Sequence, residues 1–261
     1  MEKSKVFFTD FRTLAFGDSL PVKLKKLMKK AGVGQIDMDG KFVAIKMHFG
    51  ELGNISYLRP NYAKAVADVV MELGGKPFLT DCNTLYPGSR KNALEHLYCA
   101  WENGFTPLTV GCPVLIGDGL KGTDDIPVPV PGGEYVKEAR IGRAVMDADV
   151  FISLTHFKGH EMTGFGGTIK NIGMGSGSRA GKKDQHNNGK PEIDPEQCRG
   201  CLRCLRECAN GALEFNEKTR KMRVNPDNCV GCGRCLGSCN FDAIEFSEDS
   251  ALSELNCRMA E

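Results

Sequence analysis

The chain has 261 residues, with 34 basic side chains against 33 acidic ones and a net charge of +1, which gives no bulk electrostatic case for nucleic acid. No apolar run approaches the ~18 residues of a membrane helix, and the N-terminus Met-Glu-Lys-Ser-Lys is charged and lacks the apolar stretch of a secretion signal. The expectation is a soluble, cytoplasmic protein with neither a membrane nor a nucleic acid among its partners.

In chain order, strands and helices alternate. Val6 to Thr9 reads as a short strand, and Leu20 to Ala31 as a helix with Leu24, Leu27 and Met28 on one side and lysines on the other. Phe42 to Phe49 is a strand that ends in a Gly-rich turn. Pro60 suits a first helical turn, and the helix Ala63 to Leu73 is closed by Gly74-Gly75. A strand from Pro77 to Asp81, a helix from Ala93 to Glu102 and a strand from Pro113 to Ile116 follow. Ile126 to Ala139 reads as a hairpin turning at Pro131-Gly-Gly133, Ile141 to Met146 as helix, and Asp149 to Leu154 as a buried strand. Such alternation predicts an α/β domain with a mainly parallel sheet. Gly175 to Lys190 is polar and Gly-rich, and is expected to be a flexible connection.

Open α/β sheets bind ligands beyond the carboxyl ends of their strands. Those ends carry Lys46 and His48, then Asp81-Cys-Asn83, then a run from Thr155 that includes His156, Lys158, His160, Gly164 to Gly167, Lys170 and Asn171. The expectation is one polar cleft. Lys46, Asp81, Asn83, Lys158, Gly166, Gly167, Lys170 and Asn171 would hold a small anionic ligand, and His48, His156 or His160 would move protons. Each has a plainer reading: a tight turn for the glycines, a half-buried hydrogen-bonded pair for Lys46 and His48, and apolar packing for Cys82, Cys99, Cys112 and Cys257. His156 and His160 lack a third metal ligand, and no Ser-His-Asp order or nucleophile elbow is present.

The C-terminal third carries Cys198-x2-Cys201-x2-Cys204-x3-Cys208 and repeats it as Cys229-x2-Cys232-x2-Cys235-x3-Cys239. This is the spacing that bacterial ferredoxins use for two [4Fe–4S] clusters. Three thiolates on one tight loop reach one cube, and the fourth lies too far along the chain and reaches the other. Cys198, Cys201, Cys204 and Cys239 are therefore expected on the first cluster, and Cys229, Cys232, Cys235 and Cys208 on the second. A zinc site typically needs two separated Cys pairs, which evenly stepped runs fit poorly. Disulfides have no secretory context here. The repeat extends beyond the ligands: Ile193 to Cys198 falls on Val224 to Cys229, and Ala212 to Phe215 on Ala243 to Phe246. Ala209 and Asn240 stand where such runs often carry Pro. The reading divides the chain into an α/β domain at 1–185, a linker at 186–191, a two-cluster module at 192–247 and a starting helix at 248–261, the module either following the α/β domain or inserted in it.

The segment Ser153 to Gly175, with Lys46-Met-His-Phe-Gly50, Leu58-Arg-Pro-Asn61 and Thr80-Asp-Cys-Asn-Thr84, resembles the iron–sulfur centre proteins of domain of unknown function 362, in the subgroup with two ferredoxin-type motifs. The resemblance covers essentially the whole chain and implies an α/β domain with a ferredoxin module set into it. Members usually continue well beyond the module, so the resemblance leaves open that this is a fragment or a shortened form, with part of the cleft and a strand of the sheet lying beyond it. The expected function is electron transfer or a part in a redox enzyme, with a redox partner protein. A ferredoxin-like carrier whose α/β domain only docks that partner is the first alternative. A metal-dependent hydrolase or isomerase with structural clusters is the second.

Overall fold

The computed structural model describes residues 3–86, 88–160, 162–186, 190–208, 210–231, 234–246 and 249–261. The strand expected at Val6–Thr9 does not form. Residues 3–18 run as coil and turn, with Val6, Phe8, Phe11, Leu14 and Phe16 exposed; β propensity without a neighbouring edge makes no strand. Helix α1 (Leu20–Lys30) ends on Lys29 and Lys30, which suit the negative end of its dipole. Strand β1 (Phe42–Lys46), helix α2 (Pro60–Glu72), strand β2 (Lys76–Asp81), helices α3 (Ala93–Glu102) and α4 (Pro107–Val110) and strand β3 (Val114–Ile116) follow. Asn92 starts α3 by accepting the Glu95 N–H at 3.1 Å, a cap worth about 1 kcal/mol.

Strands β4 (Asp125–Pro129) and β5 (Glu138–Gly142) form the expected hairpin. The helix expected from Ile141 is only the turn α5 (Arg143–Met146), because Ile141 and Gly142 are taken up in pairing with β4. Next are β6 (Val150–Ser153), a hairpin of β7 (Lys158–His160) and β8 (Gly164–Gly166), and helices α6 (Thr168–Gly173) and α7 (Arg179–His186). The cysteine module contains β9 (Pro191–Ile193), α8 (Arg203–Glu207), β10 (Leu213–Asn216), β11 (Lys221–Val224), α9 (Arg234–Ser238) and β12 (Ile244–Phe246), and α10 (Asp249–Ala260) closes the chain.

The main sheet is parallel, in the order β3-β2-β1-β6. Val43, Ile45, Met47 and Phe49 pack with Ala63, Val66, Ala67 and Val70 of α2 to form its core. β6 was expected to be buried. It is half-buried, since it pairs with β1 alone and stands at an edge. From β1 the order runs through β2 and β3 on one side and jumps to β6 on the other. The crevice between the carboxyl ends of β1 and β6 is therefore the topological switch point, the usual ligand position in such sheets.

The flexible connection expected at 175–190 is largely helix α7. Ser178 Oγ accepts the Gly181 N–H at 3.1 Å and donates to Asp125 at 2.6 Å. Gly181 lies so close to β5 that an added Cβ would meet the Arg140 carbonyl at 2.4 Å. Tertiary packing, not propensity, makes this helix. Of the expected linker 186–191, residues 187–189 lie outside the described residues, His186 ends α7 and Pro191 begins β9.

In the module, α8 and α9 begin 31 residues apart, as do β10 and β12. The left-handed backbone repeats as well, at Gly200 and Gly231 and again at Gly211 and Asp242. β9 pairs with β12 and β10 with β11. Leu213, Met222, Ala243 and Ile244 form a small core that includes Cys198 and Cys204. α10 then returns to the α/β domain: Leu255 and Met259 pack with Met162 and Met174, and the Glu261 carboxylate accepts the Glu134 and Val136 N–H groups, each at 2.8 Å.

Candidate functional site

At the switch point, Lys46 leaves the end of β1 and Asp81 the end of β2. Their charged atoms are 2.9 Å apart, and their side chains are only 1% and 4% exposed. Lys46 also donates to Asn171 Oδ1 at 2.9 Å. Asn171, on α6, donates in turn to the Lys46 carbonyl, Ser153 Oγ and Thr155 Oγ1, which joins β1 to β6. On its other side Asp81 meets Arg90 at 3.2 Å and His96 at 3.7 Å. Arg90 is clamped by Glu51 and by Tyr86 Oη, and Tyr86 itself donates to Glu51 at 2.9 Å. Burial raises the Asp81 carboxyl, but Lys46, His96 and Arg90 together more than reverse this and hold it below the ordinary carboxylate range. Burial pushes His96 down to about 3. His48 accepts the Gly50 N–H through Nδ1 at 2.9 Å. His48 is exposed just beyond the end of β1; the protein packed around it and then the Arg90 charge lower its basicity.

Behind this pair is a second polar group. Asn83 donates through its backbone N–H and side chain to Asp118 Oδ1, at 2.9 and 2.8 Å. Lys182 of α7 donates to the Gly177 carbonyl at 2.5 Å. Burial pushes the Cys82 thiol up to about 12, raises Asp118 and lowers Lys182. Thr80 Oγ1, Asn83 Oδ1, Asp118 Oδ2 and Ser176 Oγ are buried without a partner among the described residues. Buried polar atoms of this kind are ordinarily satisfied by water or ligand.

In the module, Cys198, Cys201 and Cys239 all lie near enough to raise the Cys204 thiol, after burial, which is the larger cause. Cys239, the last thiol of the second run, packs against the core that holds Cys198 and Cys204 of the first. Backbone N–H groups point at sulfur: Met222 at Cys198, Ala212 at Cys208 and Gly231 at Cys229, each at 3.4 Å. Such donors stabilise thiolates and tune cluster potentials. Cys201 is exposed, whereas Cys208, Cys229, Cys235 and Cys239 are half-buried; Cys232 lies outside the described residues. Among the described residues no three Cys, His, Asp or Glu side chains close on one point as the ligands of a single ion would. The second run abuts the α/β domain. The Arg234 guanidinium lies 5.6 Å from the Tyr86 ring centre, and His186 hydrogen-bonds the Gly231 backbone.

Residues 43–256 match the family described as Domain of unknown function (DUF362). The chain belongs to that family. It is also similar to the thylakoid-associated protein sll1697 of Synechocystis, with 29% identity over 164 residues, covering 59% of this chain and 45% of that protein. It thus spans less than half the length of that relative. Among solved structures it resembles the lactate racemase apoprotein of Thermoanaerobacterium thermosaccharolyticum, with a TM-score of 0.40 and 13% identity over 78% of this chain and 41% of that one. In this DUF362 chain, among the described residues, no helix is long and apolar enough to cross a membrane.

Of the residues expected in the cleft of this DUF362 protein, Lys46, His48, Asp81 and Asn171 come together. Asn83 turns toward Asp118. Lys46 is not a spare cation for an anion, because Asp81 neutralises it. Lys158 is exposed on β7 and donates to the Gly159 carbonyl at 3.1 Å, while Gly166 and Gly167 are buried in the turn into α6. That helix has only six residues, so little dipole stands behind the anion site expected at its start. His160 accepts the Met162 N–H through Nδ1 at 3.1 Å, and with Lys170 it forms a separate basic group near His186. His156 is half-buried on the strand-to-hairpin segment. Cys82, Cys99 and Cys112 are buried as expected, and Cys257 is exposed on the outer side of α10. Sequence reasoning missed Tyr86, Arg90, His96, Asp118 and Lys182. Only His96 left a signal, since it shares the buried side of α3 with Cys99 and Ala100.

Proposed function

We propose that this protein is an iron–sulfur redox component of the cytoplasm. In this reading Cys198, Cys201, Cys204 and Cys239 hold one [4Fe–4S] cluster, and Cys229, Cys232, Cys235 and Cys208 hold a second. The observation that carries it is that Cys239 packs against the core holding Cys198 and Cys204, which suits the crossing that two-cluster spacing demands. The N–H groups aimed at Cys198, Cys208 and Cys229 suit thiolate ligands. When bound, such clusters supply single electrons at low potential. The chain's own residues do the rest: Arg234 and Gly231 seat the second run against the α/β domain, and the cleft beside it presents His48 with the Glu51–Arg90–Tyr86 wall.

A small polar or anionic substrate in that cleft would meet a neutral His48 able to donate a hydrogen bond through Nε2–H, since Nδ1 already accepts from Gly50. The buried Lys46–Asp81 pair holds the frame and contributes little net charge. That balance favours, as a second reading, a carrier whose α/β domain only docks a redox partner. Anaerobic reconstitution with iron, sulfide and reductant tests the assignment. About eight irons per chain and a coupled paramagnetic resonance signal from two reduced clusters are expected, with Cys239→Ala losing about half the iron. One cluster or none in the unaltered chain would overturn it. A small-molecule ligand shifting the His48 resonances would separate the two readings of the cleft.

A further inference from the structure

The two cysteine runs repeat in sequence, yet the structure gives them different surroundings. The second is turned inward: Gly231 is buried, His186 bonds its backbone, and Arg234 covers Tyr86 while pairing with Glu207 at 3.2 Å. In the first, Cys198 and Cys204 are buried in the module core and the open edge lies at Cys201. Cys201 is exposed, and so are Arg199, Arg203, Arg206 and Arg220. Arg203 and Arg206 lie three apart on α8 and share a side of it. Gly200 holds Arg220 beside the same loop, since an added Cβ there would meet the Arg220 carbonyl at 2.2 Å. None of these arginines pairs with a carboxylate among the described residues, whereas Glu207 and Glu214 are engaged by Arg234 and Arg223. Glu196 and Glu217 are the exposed acids of the flanking turns. In a chain whose total charge is +1, four arginines around one exposed cysteine make a local positive field that steers an oppositely charged protein.

Resting on the two-cluster reading above, we propose that the first run receives electrons and that Arg199, Arg203, Arg206 and Arg220 dock an acidic one-electron carrier protein. The second run, seated on Tyr86 and His186, would hold the cluster that takes each electron on from the first. A cluster held by Cys198, Cys201, Cys204 and Cys239 would gain one electron in each encounter as the carrier loses one, with no bond formed or broken.

The test uses the full chain loaded anaerobically and a flavodoxin-type acidic flavoprotein in its hydroquinone state. Binding is read by titration and reduction by stopped flow, at low and high salt. Arg199→Glu with Arg203→Glu is expected to weaken binding and slow reduction by roughly tenfold or more at low salt. Arg199→Lys with Arg203→Lys should keep both near the original values, and Lys121→Glu, on the α/β domain, should change neither. High salt should erase the difference between the original chain and the charge-reversed one. Unchanged binding and reduction in a charge-reversed chain that carries its full iron would overturn this proposal and leave the cluster assignment standing. Failure of the unaltered chain to bind about eight irons would overturn the assignment itself, and this proposal with it.

Discussion

Lys46 Nζ lies 2.9 Å from Asp81 Oδ1 and 2.9 Å from Asn171 Oδ1. One ammonium therefore ties the ends of β1 and β2 to α6 across the point where the strand order reverses. The pair is nearly dry, and its value is to fix geometry, since a buried ion pair adds little net stability over an apolar isostere while a broken one costs a great deal. Lys46→Met keeps the stem and leaves Asp81 to Arg90 and His96. A loss of about 3–5 kcal/mol is expected by urea denaturation, with the double variant Lys46→Met/Asp81→Asn losing less than the sum of the two single changes. Additive losses would show that the two side chains are not coupled.

The acid limb of stability should carry the signature of His96. Its folded pKa, about 3, lies below the ~6.5 of an unfolded histidine, so the unfolded chain takes up the proton first. The contribution is complete above ~6.5 and is lost as pH falls from there toward 3, on the order of a few kcal/mol. Asp81, also depressed, adds a loss below ~4. His96→Phe, which keeps a ring against Phe49, should lessen the slope between pH 6 and 4 without abolishing it, since His48 and His186 are lowered as well, and leave the steeper fall below. An unchanged slope would place the titrating group elsewhere.

Tyr86 joins the module to the cleft through its ring and its hydroxyl separately. Tyr86→Ala removes the surface under Arg234, a contact of about 1 kcal/mol, so amide exchange in α9 should quicken while α2 is unaffected. Tyr86→Phe keeps the ring and should leave α9 protected. Equal effects from both substitutions would mean that the hydroxyl network, not the ring, seats the second run.

Gly173 allows α10 to lie against α6. A Cβ there would come within 2.0 Å of the Met259 carbonyl, closer than a side-chain shift can relieve. Gly173→Ala should cost about 1–3 kcal/mol and expose α10 to limited proteolysis before the rest of the chain. Cleavage that begins elsewhere would sink this account.

What could be foreseen from sequence follows from where the deciding forces lie. The parallel strands were legible because β1 and β2 are short apolar runs between turn residues, and the paired strands of the cysteine module because its cysteine spacing and flanking residues repeat together. Arg90 gave no warning: it stands among Gly88, Ser89, Lys91 and Asn92, a composition that reads as a solvated loop, and only the fold brings Glu51 and Asp81 to it. Lys182 was hidden in the same way, in a stretch whose glycines and lysines read as linker but pack against β5. Val6 to Thr9 shows the reverse error, a local preference with no edge to satisfy it.

The return of α10 has a bearing on how the cysteine module is held. The module leaves the α/β domain after α7 and comes back to it at Gly173, Glu134 and Val136, so it is held at both ends like a closed clasp and not strung on a leash. The entropy of bringing those ends together is met once, during folding. Arg234 is thereby kept over the Tyr86 ring by the whole closed path of the chain and not by that one contact alone.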